Sequence, residues 1–126
     1  MNKLFKSVAA LLTAMGLVFG LSACAPEKME MGSVTAVIDV RTPMEFAEGH
    51  LEGAVNIDVQ TMDFASRIQE LDTAGTYVVY CRSGNRSGVA IEQMKTLGFT
   101  NLTNGGAVAE ASALTGLPVV QYLQVL

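Results

Sequence analysis

The stretch Tyr77-Val78-Val79-Tyr80-Cys81-Arg82-Ser83-Gly84-Asn85-Arg86-Ser87-Gly88 decides the fold. Its first half is apolar, β-branched and aromatic, which predicts a buried strand, and its second half is a polar turn containing glycine. Beyond it, Val89, Ala90, Ile91, Met94 and Leu97 recur at helical spacing and stop at Gly98, so Ser87 falls at or near a helix N-terminus. A strand thus delivers Cys81 into a tight loop that runs straight into a helix. The first amides of a helix have no intrahelical partner and carry the positive end of its dipole, so they gather around an anion. Here the anion is the Cys81 thiolate, with the amides of Arg82 to Ser87 around it and the guanidinium groups of Arg82 and Arg86 nearby. Such surroundings lower a thiol pKa from ~8.5 into the range of roughly 3.5 to 7.5. A buried structural cysteine would be followed by apolar residues, and this one is followed by Arg, Ser, Gly, Asn, Arg and Ser.

Outward from this loop, strands alternate with helices. Toward the N-terminus, Gly75 lies in a turn, Phe64, Ile68 and Leu71 line a helix beginning near Thr61, and Ala54 to Ile57 reads as a strand. Thr42-Pro43-Met44-Glu45 reads as a helix start, with a capping threonine, Pro at the first helical position and Glu three residues after the cap; Gly49 closes that helix. Thr35 to Val40 reads as the first strand. Toward the C-terminus, Phe99 to Leu102 reads as a weak strand, Gly105-Gly106 as a turn and Glu110 to Leu114 as a helix, and the apolar tail from Val119 reads as an extra edge strand. The expected fold class is α/β, a central parallel sheet with helices on both faces. Ligands of such sheets sit beyond the carboxyl ends of the strands, where Cys81 lies. Asp39 and Arg41 fall near the end of the first strand and are expected to support the loop, border the pocket or pair with each other.

The N-terminus has a separate character. Lys3 and Lys6 precede an apolar run from Val8 to Leu21 that ends in Leu21-Ser22-Ala23-Cys24, the layout of an export signal. The run is short for a membrane span, which needs ~20 apolar residues. Leu-Ser-Ala-Cys resembles the lipobox of bacterial lipoproteins, which implies a signal peptide over 1–23 and an acylated Cys24. A polar tether is expected over 24–33 and one domain over 34–126. The resemblance implies an exported chain, lipid-anchored in the periplasm or cell envelope, with Ala25 favouring the outer membrane where there are two. The chain carries twelve acidic against eight basic residues, a net charge of −4, which argues against nucleic acid as a partner. With a single histidine, and Cys24 acylated, there are too few ligands for a zinc site, and no metal or cofactor is expected. His50 reads as a hydrogen-bonded turn residue, and Met29, Met31, Met44, Met62 and Met94 as tether or core.

Taken together, Ile38-Asp39-Val40-Arg41, Glu45-Phe46, Gly49 to Ile57, Cys81 to Ser87, Leu97-Gly98-Phe99, Gly105-Gly106 and Gly116-Leu117-Pro118-Val119 resemble the rhodanese family of sulfurtransferases in order and spacing. The resemblance implies a loop cysteine that takes the outer sulfur of thiosulfate or a related donor as a persulfide. It passes that sulfur to a cyanide, thiol or exported redox-protein acceptor, without a cofactor and in a chain expected to be a monomer. Two other functions use the same features. Thiolate phosphatases and arsenate reductases follow Cys-x5-Arg, whereas Cys81 and Arg86 give Cys-x4-Arg, a tighter cradle better suited to one sulfur atom. Non-catalytic rhodanese-like binding modules commonly lose the cysteine that this chain keeps.

Overall fold

The computed structural model describes residues 28–121. Cys24, the stretch expected to be an export signal and residues 122–126 of the tail lie outside the described residues. The main sheet has four parallel strands in the order β3 (Val55–Asn56), β1 (Ala36–Asp39), β4 (Thr76–Tyr80) and β5 (Asn101–Gly106). Its crossovers run through helices α1 (Pro43–Glu48), α2 (Phe64–Ile68) and α3 (Asn85–Thr96), and α4 (Val108–Thr115) follows β5. A second, two-stranded antiparallel sheet joins β2 (His50–Leu51) to β6 (Val119–Val120). The expected α/β class with helices on both faces is what forms, and the tail does supply a strand. That strand pairs with β2 in the small sheet and is not an extra edge of the main one.

Strand β4 is central because its side chains are buried on both faces. Tyr77, Val79 and Cys81 point into a core with Ile38, Ile57, Phe64, Ile68, Ile91, Met94 and Phe99, beneath α2 and α3. Val78 and Tyr80 point the other way, onto Val37, Leu51 and Ala111, beneath α4. This is the period-two alternation of a strand, with no polar face because helices cover both sides. On the second face, Met29 and Met31 pack against the core and the Met29 N–H donates to the Leu114 carbonyl (2.8 Å). The domain's packing therefore begins ahead of residue 34, within the stretch expected to be a tether.

The start of α1 forms as its sequence predicts. Thr42 Oγ1 accepts from the Glu45 N–H (3.2 Å), and the Glu45 carboxylate reaches back to the Thr42 N–H (3.4 Å), with Pro43 as the first helical residue. The C-terminal third departs from expectation. Asn101–Gly106 is one six-residue strand, so the expected strand over Phe99 to Leu102 starts too early and the Gly105-Gly106 pair is its end and not a turn. Packing explains the difference. A Cβ on Gly105 would lie 3.1 Å from Ala111 Cβ and from Val78 Cγ1, closer than side chains ordinarily pack, so glycine favours the close approach of α4 to β4 at this point. An irregularity in register between Val79 and Tyr80 then sets Gly106 (φ 76°) opposite Tyr80. No described helix is long and apolar enough to cross a membrane.

Candidate active site

Cys81 follows directly on β4, and its N–H donates to the Gly106 carbonyl at the end of β5 (2.9 Å). The chain then turns through Arg82, Ser83 and Gly84 into α3. Gly84 stands at the cap position with φ 94°, a left-handed conformation that a side chain disfavours, and this lets the loop close in three residues. The closure brings the Gly84 N–H to 2.9 Å from Cys81 Sγ and the Ser87 Oγ to 3.5 Å from it. Burial alone would push the Cys81 thiol pKa up. The Ser87 hydroxyl and the amides of Ser87, Ser83 and Gly84 outweigh it and leave the pKa lowered. Of the six loop residues expected around the sulfur, Ser83, Gly84 and Ser87 supply those donors.

Arg86 has its direct partner outside the loop. Its guanidinium is directed at Glu45 of α1, with Nη1 donating to Oε1 (2.7 Å) and Nη2 to Oε2 (2.8 Å). This charged fork holds the Glu45 carboxyl down at about 2, assisted against burial by Thr42. Arg86 therefore braces the first turn of α3 against α1, and its charge reaches Cys81 only across space. Arg82 is exposed and lines a cavity of about 370 Å³ beside the loop, with Arg41, Glu45, Glu48 and the start of α4 at Ala107 to Ala109. Asn85 is exposed as the first residue of α3.

Asp39 and Arg41 do pair. Arg41 Nη2 donates to Asp39 Oδ2 (2.7 Å) and to the Gly49 carbonyl (2.6 Å), Nε spans both Asp39 oxygens, and the guanidinium lies 5.8 Å from the Tyr80 ring centroid. Arg41 thereby ties the end of β1 to the end of α1 while its side chain also borders the cavity. His50 is in β2, where its Nδ1 is 2.8 Å from the Phe46 carbonyl and its ring stacks on Phe46. Both contacts lie within the connection from α1 to β2. Among the described residues no group of His, Cys, Asp and Glu could hold a metal.

The profile of the Rhodanese-like domain matches residues 23–109. The chain belongs to the rhodanese-like family. It is 32% identical over 99 residues to the thiosulfate sulfurtransferase PspE of Escherichia coli, an alignment that covers 79% of this chain and 88% of that protein. To a sulfurtransferase of Allochromatium vinosum it is 34% identical over 86 residues, covering 67% of this chain and 77% of the relative. Among solved structures, a rhodanese with anions from E. coli superposes with a TM-score of 0.57 at 30% identity, covering 69% of this chain and 98% of that one. A rhodanese-related protein from Thermoplasma volcanium gives a TM-score of 0.59 at 29% identity, covering 73% and 88%. The domain that carries the Cys81 loop is thus one of the rhodanese-like sulfurtransferase family.

The contacts of three residues at this rhodanese-like site carry no local signal in the sequence. Glu45 is legible as a helix cap and not as the partner of a residue 41 positions away. Asn104, in the stretch expected to turn, contacts the loop through both ends of its amide. Asn56 Nδ2 donates to the carbonyls of Asp39 (3.1 Å) and Arg41 (2.9 Å), fixing the strand end that carries the ion pair.

Proposed function

We propose that the chain moves a sulfane sulfur from thiosulfate or a similar donor to a thiophilic acceptor through a persulfide on Cys81. The observation that carries this reading is the sulfur held by the Gly84 N–H and the Ser87 hydroxyl at the junction of β4 and α3. Those donors favour the thiolate, which attacks the outer sulfur of thiosulfate. A bond forms between Sγ and that sulfur, the sulfur–sulfur bond of the donor breaks, and its electron pair leaves with sulfite. The product is an anionic persulfide, equal in total charge with sulfite to the reactants. Arg82, exposed on the cavity wall, is suited to meet the charge of the sulfite end as it develops. Cyanide or a thiolate then attacks the outer sulfur and returns the Cys81 thiolate, giving thiocyanate or a new persulfide. No step needs a metal or an organic cofactor. An exported redox protein with an exposed thiol is an acceptor of the same chemistry.

The location we propose is a cell-envelope membrane, through lipid on Cys24. It rests on Lys3, Lys6, the apolar run to Leu21 and Leu21-Ser22-Ala23-Cys24. The enzymatic proposal is tested by thiocyanate formation from thiosulfate and cyanide. The chain should turn over and Cys81→Ser should not. Turnover of an aryl phosphate with no thiocyanate would replace the reading with a phosphatase, and neither activity would leave a binding module.

A further inference from the structure

Ser87 has one hydroxyl proton and three acceptors within reach. Asn104 Oδ1 is at 2.7 Å, the Gly84 carbonyl at 3.0 Å and Cys81 Sγ at 3.5 Å. The shortest of the three leads away from the sulfur. Asn104 Oδ1 also accepts from the Gly106 N–H (2.9 Å), and its Nδ2 donates to the Gly84 carbonyl (3.2 Å), so the amide is held at both ends. Its orientation follows from these partners, since Nδ2 in place of Oδ1 would face an N–H donor. We propose that Asn104 is a positioning residue that holds the Ser87 hydroxyl proton while Cys81 is uncharged and yields it to the sulfur when the thiolate forms.

The exchange leaves no group stranded. With Cys81 as a thiol, its S–H donates to Ser87 Oγ and the Ser87 hydroxyl donates to Asn104 Oδ1. On ionisation the thiol proton departs to solvent and the hydroxyl rotates onto the thiolate. Asn104 Oδ1 keeps the Gly106 N–H, and because Asn104 is exposed, water replaces the hydroxyl. In a persulfide the charge sits on the outer sulfur, Sγ is neutral again, and the hydroxyl returns to Asn104. The donor at Sγ thus follows the charge without any proton leaving Ser87. The other charges around Cys81 are fixed by different elements. Arg86 of α3 is clamped by Glu45 of α1 and faces Asp58 beyond β3, while Arg41, Glu48 and Arg82 line the cavity. Glu110 of α4 is bonded to the Ala107 N–H, and β5 contributes no ionisable residue.

The test reads the ionisation of Cys81 without any sulfur donor, so its outcome is independent of the sulfurtransferase proposal. The full chain is alkylated with iodoacetamide across a pH series and modification is followed on the Cys81 peptide by mass spectrometry. Asn104→Ala leaves only the Gly84 carbonyl to compete with the thiolate for the hydroxyl and should lower the apparent pKa, by no more than about 0.5–1 unit, the size of one neutral hydrogen bond. Asn104→Asp retains the hydroxyl on a charged oxygen and should raise it by about 1 unit. Because the charge introduced by Asn104→Asp would itself disfavour the thiolate, the readout that separates this role from a mere structural brace is the Asn104→Ala shift with and without the Ser87 hydroxyl. In a Ser87→Ala background, Asn104→Ala should shift the pKa by less than about 0.2 unit, since the link is gone. Shifts of one sign for Ala and Asp, or equal Asn104→Ala shifts with and without the Ser87 hydroxyl, would overturn the proposal.

Discussion

The brace between Glu45 and Arg86 should stabilise the domain and do so with a defined pH dependence. Replacing Glu45 by Gln removes the charge but leaves an amide oxygen to serve the Thr42 cap, and Arg86→Met removes the fork while keeping the apolar stem. The two bonds are 2.7 and 2.8 Å long between side chains 23% and 21% exposed, so the pair lies between a solvated surface pair and a buried one. Surface pairs contribute ~0–1 kcal/mol and hydrogen bonds to charged groups ~1.5–3 kcal/mol, which sets the expected coupling at about 1–2 kcal/mol. The double-mutant cycle, read by urea denaturation at neutral pH, should return that value. A carboxyl whose folded pKa is depressed stabilises fully above its unfolded value and loses that contribution as pH falls through the folded one. For Glu45 the window runs from 4.5 down to about 2. The coupling should be constant from pH 7 to 5 and shrink below that. A neutral-pH coupling under about 0.3 kcal/mol, or one undiminished near pH 2, would refute the assignment of Arg86 to Glu45.

Other expectations follow from single contacts. Tyr80→Phe should cost about 1–3 kcal/mol, seen as a lower Tm, because the buried Leu51 N–H loses the Tyr80 hydroxyl that accepts from it at 3.0 Å. Gly105→Ala should cost about 1–3 kcal/mol in the same measurement, since its Cβ would press on Ala111, Val78 and Tyr80 at 3.1–3.2 Å. Cys24→Ser should release the chain from the membrane fraction or leave it unprocessed. A mature-sized chain still sedimenting with membranes would contradict the lipid anchor.

The legible parts of the fold are those in which local pattern and final environment agree. Tyr77 to Cys81 is apolar without interruption because both faces of β4 are covered, and the Thr42 to Glu45 box satisfies itself within four residues. The loop after Cys81 was readable for the same reason, since its donors lie within six residues of the sulfur. Asn101 to Gly106 was not readable as one strand. Asn-Gly-Gly has the composition of a turn, and only pairing with β4 and the close approach of Ala111 hold it extended. Sequence proximity points Arg86 toward the thiolate, which its charge reaches through space, whereas nothing local reveals its direct partner on α1. Asn104 reaches Ser87 only once β5 has docked beside β4, a contact with no signature in either segment alone.

The mass of Cys81 after exposure to thiosulfate tests the central claim most directly. The reduced full chain, incubated with thiosulfate in the absence of acceptor, should gain one sulfur atom on the Cys81 peptide and lose it on adding cyanide, with one thiocyanate released per adduct. An unmodified Cys81 after thiosulfate, and after persulfide and mercaptopyruvate donors in turn, would contradict sulfur transfer through this residue.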